Sequence, residues 1–284
     1  MKVIAVVMLL SAPLVAQPAP PVQQLLDRMA AYLEKYELEL SSVVADERFQ
    51  QRVVYTRAYK GGLPVTDDER RRLDSEIGFL RLPGGLDWLG FRDVRKINGK
   101  DVAASEKRIA EALASTPDVM KQARAIADAS AQHNLGVPRT TNVPTAALEI
   151  IHPRNYTAHR FELRGNDTVR KTKVAVLAFT ETRRPPLVSA YGGQELISSG
   201  RIWIEPASGT IWRVEWTYAP AIGAPSSLRV EFAKDAMLGI MVPIEMHENF
   251  SVIGGLNARG DGVAFYTNFR RFGTGARIVP QPGE

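Results

Sequence analysis

The sequence predicts an α+β protein built on a curved antiparallel β-sheet, a half-barrel-like meander covered on its concave face by helices. The first observation is a series of strand-like segments after residue 147 whose short links are rich in Gly, Pro, Ser and Asn. Short links favour antiparallel neighbours, because parallel crossovers need a dozen or more linking residues. The second is that several segments are apolar on one face and charged on the other, which leaves a sheet that needs a cover. The third is an amphipathic helical stripe near the N-terminus, which can supply part of that cover.

The first 16 residues have the pattern of a secretory signal peptide, with Lys2, an apolar run over residues 3–10 and Ala16 before a Pro-rich stretch. We expect cleavage after Ala16 and a periplasmic or secreted protein that is soluble once the signal is removed. The alternative is a buried N-terminal strand or helix, since the segment is too short to span a bilayer. No cysteine follows the cleavage point, so no N-terminal lipid anchor is expected.

The composition is that of a globular chain, with 284 residues of which 45% are hydrophobic and 24% charged. The chain has no cysteine, which excludes disulfides, thiolate catalysis, iron–sulfur clusters and cysteine-ligated zinc. Lys and Arg outnumber Asp and Glu by 36 to 31, a net charge of +5 that suits nucleic acid, an anionic membrane surface or an acidic ligand. Because export separates the protein from nucleic acid, we expect no nucleic-acid partner.

The first part of the mature chain predicts one helix followed by strands. Apolar residues recur at helical spacing over residues 22–40. Residues 66–69 have the spacing of a capping box, which predicts a helical turn over residues 70–72. Asn98 and Gly99 predict a type I′ hairpin turn. Strands are predicted over residues 49–56, 77–82 and 88–97.

Residues 17–284 are expected to form a single sheet-dominated domain with a helical insertion at about 104–136. Apolar residues recur at helical spacing in the insertion, Pro117 can occupy the first turn of a second helix, and Gly136 can end it. Further strands are predicted over residues 147–151, 159–164, 173–182, 201–205, 211–218, 228–233, 242–250 and 263–272.

The predicted strand at residues 211–218 has the clearest division into an apolar and a polar face, and neighbouring strands repeat the division. If the helices leave space over the apolar face, it is a pocket for an acyl chain. If they fill the concavity, the same residues are ordinary core. The candidate ligand-binding residues are Trp212, Val214, Trp216, Tyr218, Phe232 and Phe161.

A second candidate surface is the basic segment at residues 151–185, which holds eight Lys or Arg against three acidic residues. This charge can attract anionic headgroups within a Debye length, about 8 Å at physiological salt. The alternative is that the cations only protect the outer strands from pairing with strands of other molecules. The candidate headgroup-binding residues are Arg160, Arg164, Arg170, Lys171 and Lys173.

Several blocks of the sequence resemble a group of secreted bacterial proteins with no assigned activity. These blocks are residues 91–102, 134–136, 142–153 and 263–272. More distantly, the order of elements and the turn at residues 205–209 resemble the outer-membrane lipoprotein carrier superfamily. That resemblance implies an open half-barrel, covered by helices, that holds acyl chains or serves as a sensor domain. The insertion at about 104–136 departs from the compact carrier pattern.

The sequence contains no nucleophile elbow, phosphate loop, dinucleotide fingerprint or His-Glu-x-x-His motif. Glu245 and His247 share a strand face and could ligate a metal with His159 from another strand, but ordinary exposed strand residues explain them better. We therefore expect no metal, no cofactor and no catalytic residue.

The leading hypothesis is a non-enzymatic envelope binding protein for an amphipathic or acyl-bearing ligand, with a lipid or lipoprotein as partner. The alternative hypothesis is an envelope sensor or protein-interaction domain with a plugged cavity, whose partner is an envelope protein.

Overall fold

The structure is a computed structural model that describes most of the chain between its two ends. The described residues are 21–41, 43–57, 65–81, 88–102, 109, 119–189, 193–220, 224–252 and 257–271. The predicted signal peptide and most of the first half of the predicted helical insertion lie outside these residues. Within the described ranges, no helix is long and apolar enough to cross a membrane.

The described strands form one antiparallel sheet of twelve strands. Their bounds are β1 Val43–Arg57, β2 Val65–Arg81, β3 Trp88–Ile97, β4 Lys100–Asp101, β5 His159–Val169, β6 Thr172–Glu181, β7 Val188–Ser189, β8 Glu195–Ile204, β9 Ile211–Pro220, β10 Ser226–Lys234, β11 Met241–Val252 and β12 Asn257–Arg271. The spatial order is β4-β3-β2-β1-β12-β11-β10-β9-β8-β6-β5, and β7 pairs with β8 off this path. The sheet does not close on itself, which confirms the predicted α+β, half-barrel-like meander.

One face of the sheet, called the inner face, carries a band of apolar residues that crosses the strands from β5 to β3. Cross-strand neighbours form a continuous row there: Leu163, Leu177, Ile202, Val214, Val230, Met246, Ala264, Phe49, Leu73 and Ile97. All of them belong to, or pack against, the main hydrophobic core. Since successive strand residues point to opposite faces, the intervening residues form a charged outer face. Arg201 and Glu215, for example, are paired there at 2.6 Å.

The described helices are α1 Val22–Leu40, α2 Val119–Ala131 and α3 Ala146–Ile150, together with a 3₁₀ turn at Pro153–Ala158. Helix α1 covers the inner face, as its apolar spacing predicts, and the ring of Tyr36 meets Phe232 edge-on with centroids 6.4 Å apart. The turn between β8 and β9 supports this helix, because Arg28 donates to the Pro206 carbonyl. Gly209 in that turn has a φ of +75°, and a Cβ there would collide with the Arg28 carbonyl, so only glycine allows the close approach.

Helix α2 lies along β3. The short strand β4 pairs only with the last two residues of β3 and leaves the rest of that edge without a strand neighbour among the described residues. Ser130 Oγ accepts a hydrogen bond from the Val94 N–H at 3.3 Å. Ala123 packs with Leu80 and Phe91, which belong to the outer face. Helix α2 therefore covers the strand edge that β4 leaves unpaired, a common protection against edge-to-edge pairing, and does not cover the centre of the inner face.

Two local predictions are wrong and one is confirmed. The segment at residues 66–72 is strand, because β2 pairs with β1 along its whole length and this outweighs the capping-box spacing. Residues 147–151, predicted as a strand, lie mostly in α3; their apolar side chains are buried on every side, so periodicity could not distinguish the two structures. Asn98 and Gly99 form the predicted two-residue turn, with φ of 51° and 81°.

Candidate functional site

The six residues of the predicted apolar site lie in or beside the main core. Val214, Trp216 and Phe232 are buried, and Phe161, Trp212 and Tyr218 are half-buried. The 3₁₀ turn closes one side of this region, since the ring of Tyr156 meets Phe161 edge-on with centroids 5.4 Å apart. The Tyr156 hydroxyl also donates to the Leu26 carbonyl of α1 at 3.3 Å. The protein thus covers its own predicted apolar site.

Trp212 departs from the predicted alternation of β9. Trp203 pairs with Arg213 and Ile204 with Ile211, so Trp212 is the extra residue of a β-bulge. As a result, Trp212 contacts both the main core and a small outer cluster around Trp203. A bulge depends on backbone pairing, which the alternation of residues alone does not indicate.

The indole nitrogens of Trp212 and Trp216 are buried, and neither has a hydrogen-bond partner among the described residues. Buried donors are nearly always paired in proteins, so two unpaired indole N–H groups close in sequence are unusual. A polar atom of a ligand in this region could satisfy them.

Residues 132–145, called the plug below, cover the other half of the inner face. Gln51 on β1 holds the plug with both ends of its side-chain amide: Nε2 donates to Asn134 Oδ1 at 2.7 Å, and Oε1 accepts from the Leu135 N–H at 2.9 Å. All three residues are buried. Because both polar atoms of the amide are satisfied away from water, this contact fixes the plug to the sheet.

A buried ion pair joins the plug to β1 and β3. Arg92 and Glu47 make a two-pronged contact with side chains only 4% and 0% exposed. Arg92 also donates to the Asn142 carbonyl at 2.8 Å, and its guanidinium lies 4.8 Å from the ring centroid of Phe49. Burial alone lowers the pKa of Arg92, but Glu47 outweighs it, so the pKa is raised above its ordinary value. Burial and then the charge of Glu47 raise the pKa of Tyr266 well above its ordinary value.

A second buried pair, Arg139 and Glu248, ties the middle of the plug to β11. Arg139 Nε donates to Glu248 Oε1 at 2.7 Å and Nη2 donates to Oε2 at 3.1 Å. Nη1 donates to the carbonyls of Leu135 and Val137 at 2.8 and 2.7 Å. The guanidinium also lies 3.7 Å from the ring centroid of Phe250. Arg139 therefore connects the plug backbone directly to the sheet.

The two ion pairs and their hydrogen bonds form a network that is suited to holding the plug and not to catalysis. Each of its two carboxylates is engaged by a guanidinium group, and the four charged side chains are at most 7% exposed. Sequence reasoning did not identify the network. Its only sequence signal is that Arg92, Asn134 and Asn142 fall in the blocks that resemble secreted proteins of no assigned activity.

The predicted headgroup-binding residues lie on the β5–β6 hairpin. Arg160 and Arg164 both pair with Glu162, at 3.1 and 2.7 Å, so this carboxylate offsets part of their charge. β5 is the last strand at its side of the sheet. These two cations therefore lie on the last of the described strands at this side of the sheet, where charged side chains protect against edge-to-edge pairing.

The tip of the same hairpin is formed by Arg170 and Lys171, whose φ angles of 47° and 70° are both positive. Long side chains rarely adopt this conformation. Arg170, Lys171 and Lys173 are exposed. The nearby carboxylate of Asp167 accepts from the next backbone N–H and from Trp203 Nε1, contacts that lower its pKa. The tip therefore presents three cations to solvent.

The residues considered for a metal do not meet. Glu245 and His247 contact each other on the outer face. His159 lies on the inner face of β5, with Nδ1 2.8 Å from the Asn155 carbonyl, and four strands separate β5 from β11. In the described part of the chain, no group of three or more His, Asp or Glu side chains is placed to hold a metal.

The fold defines a class of protein: an open antiparallel sheet with a helix on one face. The chain is similar to three solved structures. A LolA superfamily protein from Nitrosomonas europaea has 12% identity and a TM-score of 0.32, with 92% of this chain and 96% of that chain covered. A DUF1329 family protein from Desulfovibrio piger has 13% identity and a TM-score of 0.33, with 88% and 93% covered. The MucA/MucB complex from Pseudomonas aeruginosa has 11% identity and a TM-score of 0.21, with 86% and 99% covered.

These similarities do not by themselves indicate a function. No protein-family model matches the sequence, and no curated protein matches it either.

Proposed function

We propose that this protein is an exported, non-enzymatic binding protein of the cell envelope that engages a protein partner while its inner face stays closed. The observation that carries the proposal is the covered inner face, where α1 lies over one half and the plug lies over the other. The two buried ion pairs, Arg92 with Glu47 and Arg139 with Glu248, support it because they hold the plug in place. The predicted signal peptide supports export.

A direct test is the state of protein purified from the periplasm of an expression host. Native mass spectrometry should give the mass of the polypeptide without bound lipid. The purified protein should also leave the fluorescence of ANS, a probe of apolar surface, close to its value in buffer. A stoichiometric lipid in the mass spectrum would contradict the proposal.

A second candidate function is the binding of an acyl-bearing ligand after the plug moves aside from Tyr218, with which Thr141 of the plug interacts. The unpaired indole nitrogens of Trp212 and Trp216 favour it, because both lie beside the continuous apolar row of the inner face. The ligand would then contact the residues predicted from the sequence: Trp212, Val214, Trp216, Tyr218, Phe232 and Phe161. Opening of the plug by the substitution Arg139→Met separates this function from the first.

The hairpin tip provides a test of the predicted contact with anionic headgroups. Replacing Arg170 by Asn and Lys171 by Gly should raise the free energy of unfolding by about 1–2 kcal/mol, because Asn and Gly adopt positive φ at little cost. The same change should weaken binding to phosphatidylglycerol vesicles, because two exposed cations are lost. Urea unfolding and vesicle cosedimentation measure the two effects.

The matched control for the tip is Arg160→Asn with Arg164→Asn, which removes the same charge from strand positions where φ is not strained. This control should not increase stability. Equal vesicle binding by the tip variant and the unaltered protein would show that the tip does not contact headgroups.

A further inference from the structure

The outer face holds a groove of about 690 Å³ above β12, β1, β2 and β3. Four of its lining residues are direct cross-strand neighbours and form a row in the order Phe265, Arg48, Asp74, Lys96. An aromatic ring and three charges therefore lie across the groove in a fixed sequence. Adjacent strands are about 4.8 Å apart, so the row is about 14 Å long.

Two β-bulges lie beside this groove. On β3, Arg95 is the extra residue between two registers of pairing with β2. On β12, Asn268 and Phe269 stand opposite the single residue Ala45, and Asn268 has a φ of 54°. Bulges bend a strand and re-aim its side chains, and they are over-represented beside binding and catalytic sites. Both Arg95 and Asn268 line the groove.

The acidic groups of the groove are neutralised by the protein itself. Asp46 and Glu76 are both bound by Arg270, and Arg95 also lies 3.6 Å from Glu76. Glu47 is paired with Arg92. Asp74 accepts two hydrogen bonds from Arg72, at 3.0 and 2.8 Å. These carboxylates therefore have little remaining attraction for a cationic ligand.

Two cations of the groove retain free donors. Arg48 makes no hydrogen bond within the described ranges; its Nε lies 3.8 Å from Asp74, and its side chain is 59% exposed. Lys96 Nζ lies 3.5 Å from Asp101, whose own side chain is 84% exposed, a pairing that contributes little. The ring of Phe265 is also open to solvent, with 43% of the residue exposed. The unsatisfied groups are thus two cations and one aromatic ring.

We propose that this groove binds an extended acidic segment of the protein partner, with an apolar side chain on Phe265 and carboxylates on Arg48 and Lys96. The inference rests on the proposed function, for which it names the binding site and the partner chemistry. An extended chain advances about 3.3 Å per residue and presents every second side chain on one face. An apolar residue followed by acidic residues two and four positions later spans about 13 Å, which matches the row.

The probe is the fluorescein-labelled peptide Phe-Ser-Glu-Ser-Glu, and its binding is measured by fluorescence anisotropy. Arg48→Gln combined with Lys96→Gln should weaken binding at least tenfold, and Phe265→Ser should weaken it about threefold. The peptide Phe-Ser-Gln-Ser-Gln should bind at least tenfold more weakly than the acidic peptide. All three substituted side chains are exposed, so the urea unfolding midpoint should stay unchanged.

The matched control variant is Arg160→Gln with Arg164→Gln, which removes the same charge from the outer face away from the groove. It should bind the acidic peptide as the unaltered protein does. Equal weakening by the two double variants would overturn the proposal, because the attraction would then be a general effect of charge. No preference for the acidic peptide over the Gln peptide would also overturn it. If the protein carries no lipid and does not bind the acidic peptide selectively, only the proposed groove is rejected. If the mass spectrum shows a bound lipid, the proposed function itself is rejected.

Discussion

Replacing Arg92 by Met is expected to lower the free energy of unfolding by about 3–5 kcal/mol, the usual cost of leaving one partner of a buried ion pair alone. Glu47 would then be an uncompensated carboxylate in a site where its side chain is fully shielded from water. The Asn142 carbonyl would lose its 2.8 Å hydrogen bond as well. Urea unfolding followed by tryptophan fluorescence measures the effect.

The matched double variant, Arg92→Met with Glu47→Leu, distinguishes loss of the pair from loss of packing. It should recover much of the stability, because replacing both members of a buried pair by apolar residues is often neutral. A single Arg92→Met variant that loses less than about 1 kcal/mol would be inconsistent with a buried, structurally required pair.

Replacing Arg139 by Met is expected to open the plug. The substitution removes the contact with Glu248 and both hydrogen bonds to the plug carbonyls, while keeping an apolar chain against Phe250. A local loss of about 3 kcal/mol corresponds to roughly a 100-fold increase in amide hydrogen exchange over residues 132–145. Hydrogen-exchange mass spectrometry measures this increase, and exchange in the β8–β10 peptides should stay unchanged.

Arg154→Met is the control for Arg139, since Arg154 pairs with Glu149 nearby but both side chains are partly exposed. It should leave exchange in the plug unchanged.

The two candidate functions then give different results for Arg139→Met. If the inner face binds an acyl chain, opening the plug should expose it and raise ANS fluorescence several-fold; if the region is only core, ANS fluorescence should change little while the protein remains folded.

Local pattern was sufficient to predict most of the secondary structure. The period-two segments from residue 159 onward are strands, and the stripe over residues 22–40 is a helix packed on the sheet. The prediction failed where local pattern is ambiguous or is outweighed by pairing: at residues 66–72, where strand β1 supplies the backbone partners, and at residues 147–151, where every side is buried. The position of Trp212 could not be predicted, because a bulge depends on the register between two strands.

The candidate sites also differ in whether local sequence pattern could predict them. The apolar residues of the inner face could be identified because alternation within a single strand reveals them. The ion pairs Arg92–Glu47 and Arg139–Glu248 could not, because their members are 45 and 109 residues apart. The outer groove could not be predicted either, because Phe265, Arg48 and Lys96 are brought together only by the pairing of β12, β1, β2 and β3.

The sequence alone therefore determined the class of the protein: an exported-type leader pattern, no cysteine chemistry, and an antiparallel sheet with one apolar face that a helix covers. These properties follow from composition and from periodicity within short segments. The tertiary structure decided what fills the inner face and where charge remains unsatisfied, because both depend on contacts between residues far apart in the chain. A buried charge is stable only beside its partner, so the position of the plug and the proposed binding surface depend on the assembled sheet.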